Sequence, residues 1–326
     1  MKAIIATPVF PPEIGETSVY AKKFAKELSA SSFGEVIVLA YANAFEDIPG
    51  VRIYGVKKNK FLLVRLLQYT VKLFFISSGA DVIYVCNTLA SGLPATIVGA
   101  LRSIPVVVRF AEDEVSERVL RTETGKDASL KIRVLLALQQ WVLKKAHTIS
   151  AGDTFLDEVL SLSYGISKEK IRVNHTPASQ PEFLPVPFEN CPHRVLFALT
   201  EESKDEKEKL EQIANSLKEE FSDAEVFPIE ESHISSAEKW YLIENAGACL
   251  FFSWDIETPL YVRALSSGVP IVVFGGEEQA REAITKIMKD AEARGLAISE
   301  GNAILAAEYS WQAHLRNFTS LIPHAK

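Results

Sequence analysis

The sequence predicts an α/β fold made of two parallel-sheet units joined by a linker. Three observations carry this reading. Short apolar runs alternate with helical patterns along the chain. Prolines then cluster at Pro177, Pro181, Pro185, Pro187 and Pro192, which is linker chemistry. Beyond them the same alternation resumes at Arg194-Val195-Leu196-Phe197-Ala198-Leu199. A chain of 326 residues is long enough for two domains of ordinary size.

Met1-Lys2-Ala3-Ile4-Ile5-Ala6 enters directly into a first strand over 3–6, so no signal peptide is expected. A loop follows, then a helical pattern over 19–29. Apolar runs at 36–40, 82–85, 106–108, 148–151 and 171–173 read as further strands, with a crossover helix over 130–146. The stretch 61–76 is strongly apolar, but Arg65, Gln68 and Lys72 interrupt it. A membrane span needs about 20 apolar residues with few charges, so a span is rejected. Two readings stay open: a core helix, or a helix lying on a membrane surface with Arg65 and Lys72 facing headgroups.

In the second unit the strand at 194–199 leads into a charged helix over 205–220. Its only apolar stripe is Leu210, Ile213, Ala214 and Leu217, which describes a solvated surface helix. Further elements are expected at 248–252, 261–267 and 271–274. Tyr309-Ser310-Trp311, with Leu315 and Phe318, reads as a last helix. Two such units create a cleft, the usual place for a ligand.

Composition narrows the function. With 48% hydrophobic and 24% charged residues, the chain reads as a soluble globular protein. Cys86, Cys191 and Cys249 are odd in number and far apart, which suggests a reducing compartment without disulfides. Six scattered histidines form no zinc spacing. Charge is uneven. Residues 1–180 carry 22 Lys and Arg against 17 Asp and Glu, a net charge of +5. Residues 181–326 carry 13 against 25, a net charge of −12. A basic first half suits an anionic acceptor or a membrane surface. No basic run is interleaved with aromatics, so nucleic acid is not an expected partner.

Four segments carry candidate chemistry. The first loop runs Thr7-Pro8-Val9-Phe10-Pro11-Pro12-Glu13-Ile14-Gly15-Glu16-Thr17-Ser18. A glycine before a helix start lets backbone N–H groups approach a phosphate or sugar hydroxyl; the plainer alternative is a turn glycine with Thr17 or Ser18 as cap. It is not a GxGxxG fingerprint. The second segment is Arg109-Phe110-Ala111-Glu112-Asp113-Glu114-Val115-Ser116-Glu117-Arg118. Its Arg109 and carboxylates can grip sugar hydroxyls or orient a nucleophile, or can form a surface ion-pair cluster with Arg118 and Arg121. The third spans 146–173 and includes His147, which reads as structural. The fourth is Trp254-Asp255-Ile256-Glu257-Thr258-Pro259-Leu260-Tyr261-Val262-Arg263-Ala264-Leu265-Ser266-Ser267-Gly268-Val269-Pro270.

These segments resemble the retaining, nucleotide-sugar-dependent glycosyltransferases of the family 4 type. The likeness is strongest over 1–42, 104–174 and 246–274. It implies the GT-B architecture, two Rossmann-like domains facing each other across a cleft. Residues 1–180 would be the acceptor-side domain and 190–305 a short donor-side domain. Residues 306–326 would form a last helix packing back on the first domain.

The resemblance also implies residue roles. Gly15, Glu16, Thr17, Arg109, Glu112 and Asp113 fall on the acceptor side, with Asp113 also a catalytic candidate. Where the family has a second loop glycine, this chain has Glu16; where it has a glycine before the aspartate, this chain has Glu112. The family neutralises its donor diphosphate with an Arg and, five residues later, a Lys, positive charge placed where negative charge develops. Here those positions hold Leu199 and Lys204. Lys204 is therefore the surviving catalytic candidate, or else a surface lysine. Two family glutamates correspond to Asp255 and Arg263. With Glu257 and Thr258 these line the expected donor site, whose loop lacks glycine and contains Pro259, a residue without an N–H. Arg263 cannot accept from ribose hydroxyls. Either it reaches a phosphate, or it pairs with Asp255 or Glu257.

No cofactor or metal is expected, only a UDP- or GDP-linked sugar as co-substrate. The expected partners are that donor and a glycan or lipid-linked acceptor. If the donor site is degenerate, the chain is expected instead to hold a glycan or to pair with an active transferase as a partner subunit. The expected location is cytoplasmic, with peripheral contact at the inner membrane face.

Overall fold

The computed structural model describes residues 1–59, 61–113, 126–178, 187–190, 193–199, 206–230, 236–253 and 256–323. They form two compact units: Met1–Thr176 with His314–Lys326, and Pro177–Ala313. Residues 306–313, grouped above with the last helix, therefore lie in the second unit.

The first unit is built on a seven-stranded sheet in the order β3-β2-β1-β4-β5-β6-β7. The strands are β1 (Lys2–Thr7), β2 (Glu35–Tyr41), β3 (Val51–Val56), β4 (Val82–Val85), β5 (Val106–Phe110), β6 (Thr148–Ala151) and β7 (Ile171–Val173). All pairings are parallel. Ile4 sits between Ile37 and Ile83 in register, and all three are buried. Strands covered on both faces read as unbroken apolar runs, which is why they stand out in the sequence. Between them lie α1 (Glu16–Ala30), α2 (Leu62–Ile76), α3 (Gly92–Arg102), α4 (Lys126–Lys145) and α5 (Thr154–Leu162).

Helix α2 answers both readings of the 61–76 stretch in part. It anchors to the core through Tyr69 and Leu73, which are fully buried. Its two basic residues do not project outward. The Arg65 guanidinium lies 5.6 Å from the Tyr41 ring centre. Lys72 donates to the Gly55 carbonyl at 2.9 Å. Cations over aromatic faces, with buried stems, hold the helix to the sheet.

The second unit has a four-stranded parallel sheet in the order β11-β10-β8-β9. Its strands are β8 (Arg194–Leu199), β9 (Glu225–Glu230), β10 (Ala248–Phe251) and β11 (Ile271–Val273). Its helices are α6 (Lys207–Glu220), α7 (Ser236–Glu244), α8 (Pro259–Ser266), α9 (Glu277–Lys289) and α10 (Ala291–Glu308). The charged helix α6 uses its thin stripe as expected: Leu210, Ile213 and Leu217 are buried in the core of this unit. Pro228 lies inside β9, tolerated because β9 is an edge strand that can spare an N–H. Asp290 splits α9 from α10. It ends the first in extended geometry, and its carboxylate accepts from the Glu292 and Ala293 N–H groups to start the second, an N-cap.

The last helix, α11 (Trp311–Ser320), carries buried His314 and Phe318. Phe318 packs edge-on against Phe24 and Tyr84, each at 5.1 Å. His314 Nδ1 lies 2.9 Å from the His175 carbonyl. A carbonyl only accepts, so Nδ1 carries the proton and Nε2 accepts from the Tyr20 hydroxyl at 2.6 Å. Tyr20 and Tyr84 hydroxyls meet at 2.8 Å.

Burial pushes the His314 imidazole down to about 4, below its ordinary value near 6.5. The unfolded chain thus binds a proton between these values that the folded chain refuses. The stability contribution is complete above about pH 6.5 and is lost as pH falls toward 4. Wild-type protein is expected to lose about 3 kcal/mol more than His314→Gln between pH 7 and pH 4, read by urea unfolding. Parallel pH profiles would remove His314 from the account.

Candidate functional site

In the first unit the chain leaves β1 toward β2 on one side and continues from β4 toward β5 on the other. Open α/β sheets bind ligands at the strand C-termini where the order reverses this way. The loop after β1 is shaped by short-range hydrogen bonds: Thr7 Oγ1 donates to the Val9 carbonyl, and Ser18 Oγ donates to the Glu13 carbonyl at 2.6 Å. Gly15 is the N-cap of α1, at φ 151°, a backbone region that favours glycine. Its carbonyl accepts from the Ser18 and Val19 N–H groups. A Cβ built on Gly15 meets no atom within 4 Å, so the space over this helix start is open. Ser18 serves the loop, and Gly15 itself takes the cap position that Thr17 or Ser18 would otherwise fill.

Beside it, a small polar crevice of about 10 Å³ is lined by Thr17, Cys86, Asn87, Thr88, Arg109, Ala111 and Glu112. Asn87 Oδ1 accepts from the Leu89 and Ala90 N–H groups, which fixes the loop after β4. The Arg109 guanidinium stacks 3.9 Å from the Tyr20 ring centre and donates to Thr176 Oγ1 at 2.9 Å. Burial pushes the Tyr20 and Tyr84 hydroxyls up, and pushes the Cys86 thiol up to about 12. These groups stay protonated, and the cationic charge among them is that of Arg109.

The structure therefore brings Thr17, Arg109 and Glu112 together, with Gly15 and Glu16 adjoining. Asp113 belongs to another group. It accepts from the Tyr164 hydroxyl at 2.9 and 2.8 Å and from Gln139 Nε2 at 3.0 Å. This fastens the end of β5 to α4 and to the turn after α5. Arg118 and Arg121, the cations of the alternative ion-pair cluster, lie outside the described residues.

In the second unit, Lys204 and Asp255 lie outside the described residues. Thr258 caps α8, its Oγ1 accepting from the Tyr261 N–H at 3.3 Å. Pro259 takes the first helical position, where a missing N–H costs nothing. Glu257, just before the cap, has φ 83°, a left-handed conformation that costs a non-glycine residue about 1–2 kcal/mol. The Arg263 guanidinium forms an ion pair with Glu244 of α7. The two side chains are only 16% and 10% exposed. Glu244 is a partner that sequence reasoning passed over, because it lies on another helix.

Sequence reasoning also missed Gly275-Gly276. Gly276 is the N-cap of α9 at φ 147°, and a Cβ there meets nothing within 4 Å. A strand end, two glycines and a helix start were the available signal. The first turn of α9 carries Glu277 and Glu278, as the first turn of α1 carries Glu16.

The chain is similar over nearly its whole length to solved structures that include glycosyltransferases. With the lipopolysaccharide outer core galactosyltransferase WaaB, in its apo form, it shares 13% identity over 99% of both chains, at a TM-score of 0.55. With HepE from Anabaena, solved with UDP and glucose, it shares 12% over 98% of both chains, at 0.53. With WaaG, a glycosyltransferase involved in lipopolysaccharide biosynthesis, it shares 14% over 100% of both chains, at 0.50. No protein-family model and no curated protein matches the chain. The chain has the GT-B fold; identities this low speak for the fold alone.

Two outcomes are expected. Arg263→Ala strands a mostly buried carboxylate and should destabilise the second unit by about 3 kcal/mol. Glu244→Ala combined with it should cost clearly less than the sum of the single changes; additive denaturation energies would mean the pair is not coupled. Glu257→Gly relieves the left-handed strain but frees the unfolded chain. It should be neutral or stabilising by up to about 1 kcal/mol, whereas Glu211→Gly, exposed within α6, should cost about 1 kcal/mol.

Proposed function

We propose that this protein transfers a sugar from a UDP- or GDP-linked donor to a glycan or lipid-linked acceptor, with retention and without a metal. The observation that carries the proposal is the polar crevice at the reversal point of the first sheet, in a chain with the GT-B fold. Thr17, Arg109 and Glu112 meet there, beside an open helix start at Gly15. A hydroxyl-bearing acceptor needs both donors and acceptors of hydrogen bonds, and this set supplies both. Glu16 adjoins them, and Asp113 acts as a positioning residue at the end of β5.

On the donor side the reading assigns Lys204 to the diphosphate, with Asp255, Glu257 and Thr258 around it. Arg263 joins only if a phosphate displaces Glu244. A phosphate carries more charge than a carboxylate and matches the same planar fork, so the exchange is chemically reasonable.

A second reading has its own support: a catalytically degenerate member of the fold that binds a glycan or serves as partner subunit to an active transferase. Arg263 is already neutralised by Glu244. Glutamates occupy the first turns of α1 and α9, and residues 181–326 carry a net charge of −12. In either reading the protein works in the cytoplasm, in contact with the inner membrane face through its basic first unit. No helix among the described residues is long and apolar enough to cross a membrane.

Calorimetry with UDP, GDP, ADP and their sugar conjugates, with and without Mg²⁺, separates the two readings. Metal-independent binding of one nucleotide, weakened tenfold or more by Lys204→Ala, is the outcome the transferase reading expects. No binding of any of them would replace it with the second reading.

A further inference from the structure

Helices α2, α3 and α4 connect β3 to β4, β4 to β5 and β5 to β6. Right-handed crossovers running in one direction lay their helices on one face of a sheet. Neighbouring helices of this layer touch, α2 against α3 and α3 against α4. The outer side of the layer is unusual in two ways.

The first is apolar exposure. Among the described residues, twelve of the twenty-four exposed large hydrophobic side chains lie on these three helices or at Phe61, which begins α2. On α2 they form a ridge four residues apart. Leu63, Leu67, Val71 and Phe75 are 78%, 65%, 49% and 70% exposed. Leu101 of α3 and Trp141 of α4 are exposed as well. Both also line an open groove of about 1280 Å³ between those helices, together with Ile97 and Lys145. A helix apolar on both faces belongs inside something, and an exposed patch on this scale marks an interaction surface.

The second is charge. The sequences of the three helices hold eight Lys and Arg and one acid, Asp127, in a chain whose net charge is −7. Arg133, Lys144 and Lys145 of α4 are exposed. This pairing of apolar ridge and basic border fits a surface that is greasy beneath and anionic on top. It does not fit a second copy of the same face, which would bring the exposed cations Arg133, Lys144 and Lys145 of both copies to one interface.

We propose that the outer face of the α2–α3–α4 layer docks on an anionic lipid bilayer, seating the ridge from Leu63 to Phe75 among the acyl chains and the α4 cations among the headgroups. This gives the membrane contact of the functional reading a defined surface. Lipid binding of this kind needs no donor site, so vesicle and nucleotide experiments fail independently.

The test is co-sedimentation of the full chain with phosphatidylcholine vesicles, with and without phosphatidylglycerol. Binding is expected only with phosphatidylglycerol, and should fall at least tenfold in about 1 M NaCl, where charges are screened beyond about 3 Å. Leu67→Asp with Phe75→Asp alters exposed positions alone and should abolish binding while leaving the melting curve unchanged. Lys144→Glu with Lys145→Glu should weaken it tenfold without touching the ridge. Equal binding to neutral vesicles, or no vesicle binding, would overturn the proposal. So would a concentration-dependent dimer that the Leu67→Asp, Phe75→Asp variant breaks.

Discussion

A buried chain of hydrogen bonds holds the first unit's site in place. It runs from the His175 carbonyl through His314 and the Tyr20 hydroxyl to Tyr84. It joins residues up to 294 positions apart: the first helix, the central strand β4 and the last helix. Arg109 rests on the face of Tyr20, so the position of that guanidinium is set by a ring held from behind. Phe24 stacks beside Tyr20 at 5.7 Å, and Phe318 closes the other side of Phe24. An Arg over an aromatic face in a partly desolvated place gains about 1–2 kcal/mol, but only if the ring does not move. The terminal helix thus contributes to the crevice without lining it.

The sequence makes the sheets legible because parallel strands buried on both faces must be apolar without interruption. Ile4, Ile37 and Ile83 are the cost-free reading of that rule. Three kinds of element escape it. Strand β9 contains Pro228, which masks an edge strand. Helix α9 buries an apolar stripe while α10 has none, and the division between them depends on one side chain, Asp290. Helix α2 has apolar residues on both faces, so periodicity does not say which face is buried; Tyr69 and Leu73 decide that through packing. In the site, Gly15 and Thr17 are legible because a glycine before a helix has few uses. The partners are not. Glu244 for Arg263, and Tyr164 with Gln139 for Asp113, come from elements whose juxtaposition only the fold creates. Arg294, buried with its guanidinium donating to the Gly247 carbonyl at 2.6 Å, carries no sequence signal at all.

The placement of acids bears on what kind of ligand the open helix starts accept. A glutamate in a first turn stabilises its helix by about 0.3–1 kcal/mol through the macrodipole. The same carboxylate competes with any phosphate for the N–H groups there and repels it. A neutral polyol meets no such repulsion, because carboxylates accept hydrogen bonds from hydroxyls. At α1, Glu16 and the nearby Glu112 act as acceptors, while Thr17 and Arg109 supply donors. That combination is matched to a sugar's alternating demands and poorly matched to a diphosphate. Under the proposed function, this favours a glycan over a nucleotide at the first unit's crevice. In the donor site proposed for the second unit, a phosphate reaches Arg263 only by displacing Glu244. A phosphate has the charge to do so, and the gain of a bidentate arginine contact must exceed the cost of leaving a mostly buried glutamate without its partner.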